Sequence, residues 1–263
     1  MDTVFWRKMV ARLGILGALE FRTEGRINRW PGGRGKSGEE EWYALHSRGL
    51  RHPVFARENS SDRRVFGQIF LFGEYDIVGT LPDVRYVIDC GANVGYASVL
   101  FSHLFPEARI VAVEPDARNC RALERNTAPY RDRIACVRKG IWPTATGLKL
   151  SDRDRDGVAD WGVMVRELRP GEEADVEAVD IDTLMADFGF PRIDLLKIDI
   201  EYSERVLFRR GYEDWLRRTR NIIIELHDAD CERVFFEALK PYRTRLVRSG
   251  EYVFCRIDGP ATV

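Results

Sequence analysis

Residues 84 to 116 have the sequence VRYVIDCGANVGYASVLFSHLFPEARIVAVEPD, and the fold prediction starts from this stretch. The apolar, β-branched run at 84–89 is typical of a strand buried on both faces. Beyond a glycine turn, apolar residues at helical spacing predict a helix that ends before Pro106. A second strand is predicted at 109–113. The stretch therefore predicts a βαβ unit of an open α/β sheet.

The turn between the first strand and the helix indicates a nucleoside-binding site. Its members are Gly91, Ala92, Asn93 and Gly95, and Asp89 precedes them. The two glycines let a ligand approach the backbone, and the following helix directs free N–H groups at that ligand. The G-x-x-x-G spacing lacks the middle glycine on which a dinucleotide pyrophosphate packs, which disfavours a nicotinamide-dependent oxidoreductase. Asp89 would repel a pyrophosphate, whereas it suits a ligand that carries an ammonium group.

Glu114 stands at the end of the second strand, 23 residues after Gly91. An acid at this position is placed to accept hydrogen bonds from a ribose diol. The backbone that follows the next predicted strand, 134–138, is where an adenine edge can be read. Further cofactor contacts are predicted at Tyr75, Pro115, Asn119, Lys139 and Gly140.

The length of 263 residues suits one large α/β domain or one domain with a substantial extension. We predict an N-terminal extension at 1–60 and a domain at 61–263 that carries a β insertion at about 141–180. Strands and helices alternate along the domain, which predicts a mainly parallel sheet with helices on both faces. Within it, Asp182 is predicted to cap a helix at 183–188.

The charge balance disfavours a general nucleic-acid binder, because 41 basic residues stand against 42 acidic ones. No nucleic acid is therefore expected as a partner. Five scattered cysteines without a C-x-x-C pair are typical of a reducing cytoplasm and offer no zinc site. No apolar run approaches the roughly 20 residues of a membrane span, and the N-terminus has no signal-peptide core.

The N-terminal residues 1–20 predict an amphipathic helix, because apolar residues recur at mostly helical intervals among basic ones. This helix is expected to pack on its own domain or on a second subunit, so a homo-oligomer through the helix is one expectation. Residues 22–40 are rich in glycine and charge, which predicts a linker or a lid.

Polar residues follow the predicted fourth and fifth strands, and they should line one crevice with the turn, because parallel strands end at the same edge of a sheet. These residues are Asp199, Glu201, Glu225 and His227. His227 is the best-placed general base among the four histidines, since its ordinary pKa lies near neutrality. The plain alternative, a histidine that simply packs after a strand, stays open.

Asp199 and Glu225 also offer oxygen ligands for Mg²⁺, which would lower the pKa of a substrate hydroxyl. Two carboxylates are a minimal set of ligands. Salt bridges to Lys197 or Arg205 are the plainer interpretation, and we favour it. A divalent cation thus remains a candidate cofactor, and the metal requirement is left unknown.

Four segments, VIDCGANVGYAS, VAVEPDARN, DLLKIDIEYSE and IIIELH, together resemble the FkbM family of S-adenosylmethionine-dependent methyltransferases over roughly residues 53–227. Asp89 and the turn resemble the first motif of class I methyltransferases in particular. The resemblance implies a Rossmann-like class I methyltransferase fold, α/β, with a mainly parallel seven-stranded sheet, a β insertion and an N-terminal helical and hairpin extension. It implies S-adenosylmethionine as cofactor and hydroxyls of sugars, polyketides and other natural products as acceptors.

The resemblance also assigns residues. It implies cofactor contacts at Asp89, Gly91, Asn93, Gly95 and Glu114, and functional weight on Asp199, Glu201, Glu204, Glu225 and His227. One departure is visible, because the family commonly has D-I-E-G-A-E where residues 199–204 are D-I-E-Y-S-E. Tyr202 replaces the glycine and adds bulk beside the crevice.

These observations predict an O-methyltransferase that acts on a hydroxyl of a small-molecule or glycosylated acceptor, with His227 as base aided by Glu225, Asp199 or Glu201. The N-terminal helix, the linker and the insertion are expected to cover the site. Two alternatives stay open: an N-methyltransferase, since amines need less help from a base, and a non-catalytic partner protein that keeps the fold.

Overall fold

The structure is a computed structural model that describes residues 3–24, 40–152 and 163–261. Its N-terminal part consists of helix α1 (Thr3–Thr23), an antiparallel hairpin of β1 (Trp42–Leu45) and β2 (Val54–Arg57), and helix α2 (Asp62–Phe66). A π-helical turn (Gly67–Phe72) continues α2. Most of the predicted linker at 22–40 lies outside the described residues.

Helix α1 packs on its own domain. Met9 and Leu13 are buried in the hydrophobic core that the hairpin also enters. Glu20 is fully buried, where it accepts a hydrogen bond from the His46 backbone N–H at 2.7 Å and lies 2.8 Å from Nδ1 of the same residue. Gly17 approaches so closely that a Cβ there would stand 2.1 Å from the His46 carbonyl oxygen. A homo-oligomer through this helix stays a prediction.

The first half of the central sheet is formed by β3 (Tyr86–Cys90), helix α3 (Tyr96–Leu104), β4 (Arg109–Val113), helix α4 (Ala117–Thr127) and β5 (Ile134–Val137). The insertion follows as β6 (Gly140–Ile141), β7 (Gly147–Asp152), β8 (Val163–Glu167) and β9 (Val176–Val179), which make a sheet of order β6-β9-β7-β8. The predicted βαβ unit and the predicted β insertion are thus confirmed.

The second half contains helix α5 (Ile181–Asp187), β10 (Leu195–Ile198), helices α6 (Glu204–Leu207) and α7 (Glu213–Leu216), β11 (Asn221–Glu225), helix α8 (Ala229–Leu239) and the hairpin of β12 (Tyr242–Ser249) and β13 (Tyr252–Pro260). The central sheet has the order β12-β13-β11-β10-β3-β4-β5. Its five strands from β11 to β5 are parallel, and the β12–β13 hairpin joins β11 antiparallel. This confirms the predicted mainly parallel seven-stranded sheet.

Helices cover both faces of this sheet, as alternate residues of β3 show. Val87 is buried in a core that α3 and α4 enter, whereas its neighbour Ile88 is buried in a second core with α5 and α8. Successive side chains of a strand point to opposite faces, so a fully apolar strand needs helices on both sides. The layer order therefore follows from the composition of the strands.

The cap of α5 differs from the prediction. Asp180, not Asp182, precedes the helix and accepts a hydrogen bond from the Thr183 backbone N–H at 2.8 Å. Asp182 lies in the first turn and pairs with Arg218. Both aspartates fit the pattern of a cap, and the buried Ile181 decides between them because it must already be helical to reach the core.

Two further predictions concern membrane-spanning segments and the state of the cysteines. In the described part of the chain, no helix combines the length and the apolar character that a membrane crossing requires. The five cysteines all lie within the described ranges, and each is a free thiol. The cytoplasmic location stays a prediction.

Candidate active site

The register of the parallel strands brings the predicted site residues to one edge of the sheet. Strands β3, β4, β10 and β11 reach the same row of the sheet at their carboxyl ends. The next residue along each of them is Gly91, Glu114, Asp199 or Glu225. A motif from the first half of the chain and acids from the second half are thereby neighbours.

A cavity of about 310 Å³ opens at this edge. We call one wall the turn side, formed by Gly91, Ala92, Asn93 and Glu114, and the opposite wall the acid side, formed by Asp199, Glu201, Glu225 and His227. Four other predicted residues also line the cavity, namely Tyr75, Pro115, Lys139 and Gly140. The three remaining predicted residues, Asp89, Gly95 and Asn119, lie behind the wall.

The backbone of the turn is fixed by its neighbours. The N–H groups of Gly91 and Ala92 donate to the Val113 carbonyl oxygen at 3.0 and 2.9 Å. Gly91 has a φ of +77°, and a Cβ at this position would stand 1.8 Å from the carbonyl oxygen of Asp199. Only glycine therefore lets the turn side approach the acid side this closely.

Glu114 is nearly fully buried and is held by the backbone of the turn side. Its Oε2 accepts a hydrogen bond from the Asn93 N–H at 2.9 Å, and its Oε1 accepts one from the Asp116 N–H at 3.0 Å. Burial raises the pKa of Glu114 to about 7, although these backbone hydrogen bonds act to lower it. A carboxylate has about four lone-pair sites. Asn119 Nδ2 donates a third, long hydrogen bond to Oε1 at 3.5 Å, so capacity remains for one hydroxyl donor in the cavity.

Asp89 supports the turn through buried polar contacts. Its carboxylate is fully buried, accepts a hydrogen bond from Ser98 Oγ at 2.6 Å and lies 3.3 Å from Lys197 Nζ. Lys197 also lies 3.5 Å from Asp199 and donates to the Gly91 carbonyl oxygen at 2.5 Å. The ammonium group beside Asp89 thus belongs to the chain itself. The predicted pairing of Asp89 with a ligand's ammonium group has no direct support from this position.

Lys197 links the two walls, and its place in the sequence indicates this role. The residue interrupts the apolar strand β10, and a lysine buried on both faces of a sheet needs carboxylate partners. Burial acts to lower the pKa of Lys197, but the charges of Asp89 and Asp199 outweigh it and raise the pKa. Lys197 is therefore a cation that holds the first motif to the end of β10.

Asn119 and Gly95 support the wall from the side of α4. Asn119 Oδ1 accepts a hydrogen bond from Arg57 Nη2 at 2.9 Å, and its Nδ2 lies 3.5 Å from Glu114. Gly95 takes a left-handed conformation at the start of α3. The predicted contact of Asn119 with an adenine ring stays a prediction, because its side chain is engaged behind the cavity.

His227 is the centre of the acid side. Its Nε2 lies 3.4 Å from Glu201, 3.6 Å from Glu225 and 3.9 Å from Asp199, and its Nδ1 lies 3.3 Å from Glu204. Four carboxylates thus surround one imidazole whose side chain is 10% exposed. The resemblance-based weight on these five residues agrees with their convergence.

The pKa values of the acid side are shifted strongly. Burial, together with Asp199, raises the pKa of Glu225 to about 8 and that of Glu201 to about 7. Burial acts to lower the pKa of His227, but Glu204, Glu225 and Asp199 outweigh it and raise the pKa to about 9. The carboxylates around His227 therefore favour the charged form of its imidazole.

Two tyrosines form a hydrogen-bonded chain that ends at the acid side. Tyr75 OH donates a hydrogen bond to Tyr252 OH at 2.9 Å, and Tyr252 OH donates to Asp199 Oδ2 at 3.1 Å. Both rings are buried. Tyr252 lies at the start of the antiparallel strand β13, where an aromatic residue is ordinary, so the sequence pattern does not indicate its role.

The segment after β10 has an unusual backbone. Glu201 and Tyr202 have φ values of +49° and +67°, in the left-handed region that favours glycine. This explains why the family pattern has a glycine where this chain has Tyr202. The tyrosine ring lies 5.1 Å from the His227 ring. Tyr202 is therefore held in a strained conformation against the centre of the acid side.

Comparison with known proteins identifies the family. Residues 89–248 match the family model of the methyltransferase FkbM domain. The methyltransferase sdnD of Sordaria araneosa is 26% identical over 205 residues, which cover 66% of this chain and 78% of that protein. The 31-O-demethyl-FK506 methyltransferase FkbM of Streptomyces tacrolimicus is 31% identical over 175 residues, which cover 55% of this chain and 66% of that protein.

A third relative is much longer than this chain. The AMB antimetabolite synthetase AmbE of Pseudomonas aeruginosa is 28% identical over 221 residues, which cover 67% of this chain but only 10% of that protein. Among solved structures, a methyltransferase from Geobacter sulfurreducens aligns with a TM-score of 0.42 at 16% identity, over 75% of this chain and 84% of that chain.

The family-model match over residues 89–248 includes the turn, Lys197 and the whole acid side. Because this match covers more than half of the chain, the chain belongs to the FkbM family of methyltransferases.

Proposed function

We propose that the chain is an S-adenosylmethionine-dependent O-methyltransferase, which acts on a hydroxyl of a small-molecule, sugar or natural-product acceptor. One observation carries the proposal: a single cavity joins the turn side, which suits a nucleoside, to the acid side, which can take up a proton. Methyl transfer to a hydroxyl requires the cofactor and a proton acceptor to lie close to the same hydroxyl group.

The turn side fits the cofactor that the class I methyltransferase fold implies. Gly91 leaves no side chain between the two walls, and Glu114 keeps acceptor capacity for a ribose hydroxyl. The backbone of Lys139 and Gly140 lines the same cavity, where it can read an adenine edge. When bound, S-adenosylmethionine supplies an electrophilic methyl group on a positively charged sulfur.

The acid side would align the acceptor and take its proton. The acceptor oxygen forms a bond to the methyl carbon while the carbon–sulfur bond breaks, and the hydroxyl proton passes to the protein. Burial raises the pKa of Glu225 to about 8, which makes its carboxylate a stronger base than an ordinary glutamate. We assign proton uptake to Glu225 and give His227 the task of reducing the repulsion among the carboxylates that surround it.

The relatives support a hydroxyl acceptor. The name of the Streptomyces tacrolimicus relative specifies a substrate that lacks a methyl group on an oxygen. The Sordaria araneosa relative is named only as a methyltransferase. Since the chain corresponds to 10% of AmbE, the activity of that whole protein gives no acceptor for this chain.

Two measurements test the proposal. Calorimetry with S-adenosylhomocysteine should show one site per chain, and a panel of hydroxyl and amine acceptors with methyl-labelled S-adenosylmethionine should give labelled methyl ethers. Label on nitrogen would replace the O-methyltransferase assignment with the N-methyltransferase alternative. Absence of cofactor binding would favour a non-catalytic protein that only keeps the fold.

A further inference from the structure

Three side chains of the acid side already have the spacing of ligands around one metal ion. Asp199, Glu201 and His227 each offer one ligand atom, and these atoms all lie within 4.8 Å of one another. His227 Nε2 lies 3.4 Å from Glu201 Oε2 and 3.9 Å from Asp199 Oδ1. Metal–ligand bonds of about 2.1 Å place neighbouring ligand atoms roughly 3.0–3.5 Å apart. A small inward movement of Asp199 would therefore complete a three-ligand site.

The contacts of His227 agree with this arrangement. Within the described ranges, its buried Nδ1 makes no hydrogen bond of good geometry and faces Glu204 at 3.3 Å, whereas its Nε2 contacts at 3.4–3.9 Å are too long for good hydrogen bonds. Buried polar atoms are nearly always hydrogen-bonded, so an imidazole that is only 10% exposed needs another partner. An ion bound between Asp199, Glu201 and Nε2 would give Nε2 a close partner in place of these long contacts.

Glu204 occupies the place of a supporting residue for such a site. Its Oε1 lies 3.3 Å from His227 Nδ1, and the carboxylate is fully buried. Its Oε1 also accepts a hydrogen bond from the Ile200 N–H at 2.9 Å, which fixes its orientation. A histidine that binds a metal through Nε2 commonly directs its Nδ1–H at a carboxylate. Glu204 would thus set the orientation of the ring.

The local charge also favours a cation. Four carboxylates lie within 4 Å of His227, and the nearby Lys197 is already shared between Asp199 and Asp89. Carboxylates so close together repel one another unless they are protonated or balanced by positive charge. The left-handed backbone at Glu201 keeps this carboxylate in the cavity wall at a cost of about 1 kcal/mol.

We propose that Asp199, Glu201 and His227 bind one divalent cation, of the kind that accepts mixed nitrogen and oxygen ligands, and that this ion holds the acceptor hydroxyl. The role in the reaction rests on the proposed function, whereas the binding site itself does not. The ion lowers the pKa of the coordinated hydroxyl. Glu225, which lies 3.6 Å from His227 Nε2 outside the three-ligand set, then receives the hydroxyl proton.

Manganese titration of the full chain tests the site directly. The protein is freed of metal with a chelator, dialysed and titrated with Mn²⁺, while the electron paramagnetic resonance signal of free Mn²⁺ is followed. We expect saturable binding of one ion per chain. The variants Asp199→Asn, Glu201→Gln and His227→Gln should weaken it about tenfold or more. The control Glu237→Gln removes an exposed carboxylate on α8 that pairs with Lys240, and it should bind like the wild type.

Two results would overturn the metal site: wild-type protein that shows no saturable binding of Mn²⁺, or three variants that bind it as the wild type does. Glu201→Gln protects the test against misfolding, because this side chain is partly exposed and circular dichroism can verify the fold. S-adenosylhomocysteine binding is measured on the same samples. Cofactor binding without metal binding rejects only the metal site, and metal binding without cofactor binding rejects only the proposed function.

Discussion

The turn side and the acid side of the cavity are built in different ways. On the turn side, contiguous backbone and one carboxylate, Glu114, form the surface that suits a nucleoside. On the acid side, side chains that follow two different strands converge on His227. An adenine edge can be read by backbone groups and a ribose by one carboxylate of the same local motif, whereas an acceptor must be read by side chains from separate strands. The difference predicts that the turn side sets cofactor affinity and the acid side sets turnover.

Gly91→Ala should have the largest effect, because it separates the two sides. A Cβ at this position would stand 1.8 Å from the Asp199 carbonyl oxygen, and the φ of +77° disfavours any other residue. We expect a loss of about 3 kcal/mol or more in the free energy of unfolding, as strain and overpacking add. Urea unfolding measures this loss.

Gly171→Ala is the matched control for this prediction. Gly171 has a similar φ of +84°, but a Cβ there would meet nothing within 4 Å. Gly171→Ala should therefore reduce the free energy of unfolding only by the cost of a left-handed alanine, about 1–2 kcal/mol. Equal losses in the two variants would show that the close approach of the walls is unimportant.

Glu225→Gln should affect the acid side alone. The change keeps the shape of the side chain but removes a proton acceptor, so we expect turnover to fall about 10²–10³-fold. S-adenosylhomocysteine affinity should stay within about twofold of the wild type, since this exchange changes no residue of the turn side. Because the pKa of Glu225 is about 8, wild-type turnover should rise with pH through this value, and the variant should lack that rise. Methyl transfer measured from pH 6 to 9 decides the matter; unchanged turnover in the variant would refute the role of Glu225.

Glu114→Gln should affect the turn side alone. Loss of a charged acceptor for the ribose should cost about 1.5–3 kcal/mol of S-adenosylhomocysteine binding, which calorimetry measures. The pKa of about 7 lies above the ordinary value of 4.5, so the folded protein binds this proton more tightly than the unfolded chain. Stability from this group is therefore present below pH 4.5 and is lost as pH rises through 7.

The stability of the Glu114→Gln variant tests whether the free energy of unfolding falls with rising pH because of Glu114. Between pH 4.5 and 7 the free energy of unfolding should fall more steeply in the wild type than in the variant, which cannot titrate at residue 114. Urea unfolding at several pH values compares the two proteins. Parallel pH profiles would contradict the burial argument for Glu114.

Substitutions of Tyr202 should have the smallest effect, because they change only the backbone strain and one ring contact of the acid side. Tyr202→Gly relieves a φ of +67°, whereas Tyr202→Ala removes the same ring contact with His227 but keeps the strain. The glycine variant should be more stable than the alanine variant by about 1 kcal/mol. In most other positions glycine would be the less stable of the two, so a more stable alanine variant would reject the strained conformation.

The turn side could be predicted from sequence because its signals are local. Gly91, Asn93 and Glu114 lie within one βαβ unit, and their spacing alone indicated a nucleoside site. The mainly parallel sheet with helices on both faces also followed from the alternation of strands and helices. For Asp89 the sequence indicated the right residue, but its partner Lys197 lies more than 100 residues away and only strand pairing reveals it.

The acid side was predicted only in part. The sequence indicated which acids end the strands, because parallel strands end at one edge. It could not reveal that His227 lies among four carboxylates, since the raised pKa values of this cluster depend on burial and on distances between strands. The contribution of Tyr252 depends on the antiparallel return of β13 beside β11, for which the chain carries no local motif.

A crystal structure of the protein with S-adenosylhomocysteine would show whether one bound cofactor contacts the turn side and faces the acid side. We expect a ribose hydroxyl within hydrogen-bond distance of the Glu114 carboxylate and a sulfur atom that faces Asp199 and His227 across the cavity. A ribose bound away from Glu114, or a sulfur atom turned away from the acid side, would contradict this expectation.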